Sequence, residues 1–210
     1  MRRYIYFVFL LCCAVNLLLT SCVRQKYVVM DMVHHNPGEA MTESKFLDPS
    51  FLKKNEYGAK VFFLFEAAQF GIDWKSFDPS LFPDTTEAGR WVAEKAEIIH
   101  KKYDAAKKED LQVYCMLDML VLPSLLVEKH RTELTNEQGK LDISKPYTQL
   151  CIRELMKEMF ETFPQLDGLV IRTGETYLHD APYYVGNHPV QNGMYDHITL
   201  INLLREEVCE

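Results

Sequence analysis

Four short runs of nearly continuous apolar residues recur along the chain, at residues 27–33, 60–65, 111–117 and 168–171. Such runs, without strict alternation, predict strands of a parallel sheet covered on both faces. Between them the apolar positions switch to helical spacing. Asp84, with Glu87 three residues later, predicts a capped helix start, after which Ala88, Trp91, Val92, Ile99 and Tyr103 share one face. A second helix is expected from about Ser144 to Pro146 onward, carrying Cys151, Ile152, Leu155, Met159 and Phe163. A third begins near Met194 with Ile198, Ile201, Leu204 and Val208, and a shorter one covers residues 49–56. The order is βαβαβαβα, which predicts an α/β fold with right-handed crossovers.

Two α/β architectures compete, and the loops separate them. No Gly-x-Gly-x-x-Gly follows any strand and no Gly-Lys-Ser/Thr occurs, so a dinucleotide-binding or P-loop domain loses support. Segments after the strands are long and rich in Asn, His, Asp, Glu and aromatics, at 34–48, 66–83, 118–143 and 172–193. Segments leading into the strands are short, as in Tyr57-Gly58-Ala59 and Lys108-Glu109-Asp110. A (β/α)8 barrel concentrates its chemistry at the carboxyl ends of its strands in this way. Such a barrel typically takes about 250 residues, whereas this chain has 210. The expectation is a partial TIM barrel with only the first four β/α units present, as a gene fragment or premature stop would leave it.

The amino terminus changes the count further. Arg2 and Arg3 precede an apolar run broken only by Asn16, and Leu19-Thr20-Ser21-Cys22 follows. A basic start, a short apolar core and small residues before a cut site predict a secretory signal over residues 1–21. The Leu-Thr-Ser-Cys ending resembles the lipobox of bacterial lipoproteins, in which the Cys is lipidated and becomes the mature amino terminus. That resemblance implies a lipid on Cys22, a short linker over 22–26, and a barrel-half domain over 27–210. It also implies anchoring in the bacterial cell envelope, in the periplasm or at the outer membrane, with no other membrane contact. Val23-Arg24-Gln25-Lys26 carries no acidic tract of the kind that resembles a surface-export signal. Beyond Cys22, Cys115, Cys151 and Cys209 remain. Three cysteines without metal-ligand spacing imply no disulfide framework, and Cys115 and Cys151 fall at core positions of a strand and a helix.

Composition supports a folded domain, with 48% hydrophobic and 25% charged residues. The formal charge of −7 argues against nucleic acid bound through a basic surface. The remaining chemistry sits at the predicted strand ends. After the first strand come His34, His35 and Asn36; after the second, Glu66; at the third, Asp118; and after the fourth, Arg172, Glu175, Tyr177 and His179. On a barrel these converge on one rim. Adjacent His34 and His35 point opposite ways on an extended strand, so no metal site is expected. Arg172 can pair with Glu66 or Asp118, or bind an acidic sugar. Tyr177, His179, Tyr183, Tyr184 and His188 crowd one loop, where they can stack on pyranose faces or pack the loop itself.

Residues 166–175, Leu-Asp-Gly-Leu-Val-Ile-Arg-Thr-Gly-Glu, resemble the fourth strand of barrel glycoside hydrolases, where an Asp-Gly pair opens a strand that ends in the catalytic Glu. The mature chain resembles the amino-terminal half of α-glucuronidase-like and β-hexosaminidase-like lipoproteins of Bacteroidetes. The resemblance implies a carbohydrate substrate, no cofactor, and Glu175 as general acid/base. His34, Asn36, Glu66, Asp118, Arg172, Tyr177 and His179 would then bind the sugar. A carboxyl whose pKa is raised can protonate the glycosidic oxygen, which leaves poorly as an alkoxide. Two other readings stay open: a lipoprotein that holds a glycan with the same rim and no chemistry, and a fragment without activity. The open edges of a half barrel also predict poor solubility or self-association into a barrel-like pair.

Overall fold

The computed structural model describes residues 28–31, 45–63, 66–173, 176, 178 and 181–209. The expected signal segment, Cys22, His34, His35, Asn36, Glu175, Tyr177 and His179 lie outside the described residues. Within them the chain is a mixed α/β protein built on a parallel sheet. Its strands are β1 (Met30–Asp31), β2 (Ala59–Phe63), β3 (Gln112–Asp118) and β5 (Gly168–Arg172), lying side by side in the order β1-β2-β3-β5. The helices are α1 (Pro49–Lys54), α2 (Glu87–Lys108), α3 (Ser124–Lys129), α4 (Arg131–Leu134), α5 (Pro146–Thr162) and α6 (Met194–Cys209). A separate antiparallel pair joins β4 (Val121–Pro123) to β6 (Tyr184–Gly186).

Local chemistry sets the helix ends. Asp48 caps α1 by accepting from the Ser50 N–H at 2.9 Å, with Pro49 in the first helical position. α2 begins at Glu87 rather than at Asp84. Thr86 is its cap, accepting from the Gly89 N–H at 3.0 Å, while Asp84 turns aside to Lys75 at 3.0 Å. The short returns from helix to strand use left-handed residues. Glu56 (φ 63) follows α1 and Asp110 (φ 54) follows α2, each letting the next N–H bond back to a helix carbonyl.

Register assigns every strand side chain to a face. Lys60 pairs with Val113, Phe62 with Cys115, and Cys115 with Leu169, so these share one side. That side carries the helices. Phe62 meets Tyr103 of α2 at 4.7 Å between ring centroids, and Tyr103 meets Phe163 just beyond α5 at 5.7 Å. Val61, Phe63, Tyr114, Met116, Asp118, Val170 and Arg172 occupy the opposite face. Burial at Val113, Cys115, Leu117, Cys151, Ile152 and Leu155 makes the helix side the main core. Cys115 and Cys151 are both free and buried there, and burial pushes their thiols up to about 11 and about 12.

Candidate functional site

The carboxyl ends of β3 and β5 bring two of the expected residues together. Asp118 and Arg172 are register partners on the face away from the helices. Arg172 Nε lies 3.4 Å from Asp118 Oδ1, with the carboxylate side chain only 5% exposed and the Arg side chain 19% exposed. The guanidinium carbon also sits 5.4 Å from the centre of the Phe63 ring, on the same face at the end of β2. An Arg held this way keeps several N–H donors in a fixed plane. The pair therefore presents a donor array and an acceptor side by side at a rim, which suits vicinal hydroxyls or an acidic group.

Glu66 is placed differently. Its carboxylate pairs with Lys102 of α2, and its backbone carbonyl accepts from the Tyr103 hydroxyl at 2.9 Å. It is thereby held toward the helix layer and apart from Arg172. Of the two partners open to Arg172 in the sequence, the structure pairs it with Asp118.

The Asp167-Gly168 pair has a local structural cause. The Asp167 carboxylate accepts from the Val113 N–H at 2.6 Å, and the Asp167 N–H donates to the Val113 carbonyl at 2.8 Å, lacing the start of β5 to β3. At Gly168 a Cβ would come within 2.9 Å of the Tyr114 ring, which lies across it on the open face. Only a glycine leaves room for that ring.

The loops beyond the strand ends are organised by contacts that periodicity could not reveal. β4 and β6 tie the segment after β3 to the segment after β5. Asn187 clamps them again, accepting from the Leu141 N–H at 2.7 Å and donating to the Leu141 carbonyl at 3.1 Å. Tyr184 is buried among Phe70, Phe82 and Trp91, at centroid distances of 5.1, 5.6 and 6.0 Å. Of the aromatic loop residues, Tyr184 thus packs the loop core. His188 accepts from the Val190 N–H through Nδ1 at 2.9 Å and shapes its own turn. Tyr183 rests half-buried against Trp91 at 5.8 Å. The β4–β6 ribbon and Asn187 were invisible to sequence reasoning because strands of three residues carry no period. Among the described residues, no three His, Cys, Asp or Glu side chains gather as a metal site, and no helix is long and apolar enough to cross a membrane.

No family model matches the chain, and no curated protein matches it. Among solved structures it is similar to a maltogenic α-amylase from Thermotoga neapolitana, with a TM-score of 0.39 at 15% sequence identity. The match covers 63% of this chain and 35% of that one. The chain thus spans about a third of the length of that structure.

Proposed function

We propose that the chain is a glycoside-hydrolase-like unit of a (β/α) barrel, carried to the cell envelope by the lipid anchor expected at Cys22. Its strand-end rim would bind a carbohydrate. The sheet order supports the barrel reading. Doubly wound sheets reverse their strand order at a switch point, whereas here each parallel strand lies beside the one before it in sequence. With α1, α2 and α5 all against the Lys60–Phe62–Cys115–Leu169 side, the winding has one sense, as in a barrel wall.

The observation that carries the functional reading is the Asp118–Arg172 pair on the inner face at the carboxyl edge. β5 delivers Arg172 to that edge, and Glu175 follows three residues later in the sequence. In this reading Asp118 and Arg172 hold sugar hydroxyls or a sugar carboxylate. Glu175 donates the proton that lets the glycosidic oxygen depart, and the proton is recovered from the attacking water. His34, Asn36, Tyr177 and His179 complete the rim. Glu66, held by Lys102, acts at its border.

The test is hydrolysis by the full chain and by Glu175→Gln across paired aryl and alkyl glycosides. Alkyl substrates need protonation of the leaving group and aryl substrates need it far less. We expect Glu175→Gln to lose about 10²–10⁴-fold on the alkyl series and much less on the aryl series, with binding of a non-hydrolysed oligosaccharide by calorimetry unchanged. Equal losses on both series, or none, remove Glu175 from the acid role. Binding without hydrolysis by the unaltered chain would instead identify a glycan-holding lipoprotein.

A further inference from the structure

The geometry points to a second copy of this chain as the occupant of both sheet edges, so that two copies close one eight-stranded parallel barrel around a twofold axis. This rests on the barrel reading above and deepens it, because the rim would then be completed by residues of the partner copy. Among the described residues the sheet has four strands, with β1 at one edge and β5 at the other. Eight strands is the number that closes a barrel with a side-chain-filled interior. A rotation of 180° about the barrel axis sets β5 of each copy beside β1 of the other, running parallel. Both unsatisfied edges are covered by a single closed symmetry.

The apolar surface agrees with that arrangement. On α6, Leu200 and Leu203 are buried, and Leu204 lines a groove with Leu169 and Ile171 of β5 and Phe160 of α5. Glu207 reaches back to Arg153 on α5. At 100° per residue, Met194, Ile198 and Ile201 lie past Leu204 on the side away from Glu207. That side overhangs the open edge of β5, and Ile198 and Ile201 are 48% and 57% exposed there. At the other edge Val29 lies on the helix-facing side of the chain entering β1, in the same parity as Asp31, and is 53% exposed. In a barrel the helix after one strand packs over the next strand. The Ile198–Ile201 stripe of one copy therefore falls on Val29 of the other.

Charge matches as well. Barrel helices run in a common direction, so the carboxyl end of α6 meets the carboxyl end of the other copy's α1. The first end carries Glu206 and Glu207, and the second carries Lys53 and Lys54. This complementarity favours heterologous edge pairing over a contact between two α6 helices, which would set the glutamates against one another.

The test uses the full chain in two differently tagged forms, one Val29→Cys and one Ile201→Cys, co-expressed and oxidised in place. We expect a disulfide-linked species carrying both tags, several-fold above the level given by either variant alone or by the unaltered chain. Light scattering on the unaltered chain in mild detergent should give twice the 24.5 kDa protomer mass. A protomer mass at tens of micromolar overturns the proposal. Cross-links confined to two Ile201→Cys copies, or formed only to a different protein, also overturn it. The glycosidase assay fails or succeeds independently: a linked dimer without hydrolysis leaves this proposal standing, and a hydrolytically active monomer defeats it alone.

Discussion

The edge strand β1 depends on one buried ion pair, and breaking it should be costly. Lys60 Nζ lies 3.0 Å from Asp31 Oδ2 and donates to the Phe46 carbonyl at 2.8 Å. The two side chains are 5% and 1% exposed. Lys60→Met keeps most of the side-chain volume and removes the cation, leaving the Asp31 carboxylate and the Phe46 carbonyl without it. Removing one partner of a buried pair costs about 3–5 kcal/mol, because the remaining charge stays desolvated. For a chain of this size each kcal/mol moves Tm by about 2–4 °C, so a fall of about 6–20 °C is expected. Thermal and urea unfolding followed by circular dichroism read this directly. Adding Asp31→Leu should recover part of the loss, since the stranded charge goes with it and the two sites are coupled. A loss below about 1 kcal/mol for Lys60→Met, the range of an exposed pair, would refute the reasoning. It would mean that water reaches this end of the sheet.

Gly89→Ala should destabilise, although in an ordinary helix it would gain about 1 kcal/mol. The added Cβ would stand 2.1 Å from the Pro83 carbonyl oxygen, and overpacking of that kind costs about 1–3 kcal/mol. A raised urea midpoint would count against it. Asp78 governs part of the acid response. Hydrogen bonds from Lys129 first, then Ser80, lower its carboxyl from 3.8 to about 2. Its folded pKa is below the unfolded one, so its contribution is full above about pH 4 and is lost as pH falls toward 2. Asp78→Asn should flatten stability across that window, and an unchanged acid limb would exclude the role.

The strands and long helices were legible because each carries a physical signature several residues long. Residues 60–65 and 111–117 differ from the observed β2 and β3 by one or two positions at an end. The start of α2 was misplaced for a specific reason. Asp84-Thr85-Thr86 offers three consecutive residues able to cap, and spacing to Glu87 favours the first. The choice falls to Thr86 because its hydroxyl both accepts from Gly89 and donates to the Pro83 carbonyl at 2.7 Å, while Lys75 engages Asp84. That selection is tertiary, and no local pattern encodes it.

The site was legible in its parts and hidden in its grouping. Asp118, Arg172 and Glu66 each follow an apolar run, so each could be read as a strand-end residue. Which of them meet depends on parity, and parity depends on register between strands that lie far apart in sequence. A slip of one residue between β3 and β5 would send Arg172 to the helix side and leave Asp118 on the other. The register is pinned at the far end of the strands. The Asp167 carboxylate on the Val113 N–H and the Tyr114 ring over Gly168 fix which residues face each other. Counted from there, Asp118 must fall opposite Arg172. The Asp-Gly pair thus acts on the rim through register, four residues away, and touches no ligand to do so. Glu66 stands past the end of β2, outside any ladder, so its direction is set by whichever cation is nearest. Lys102, on the helix behind it, is that cation.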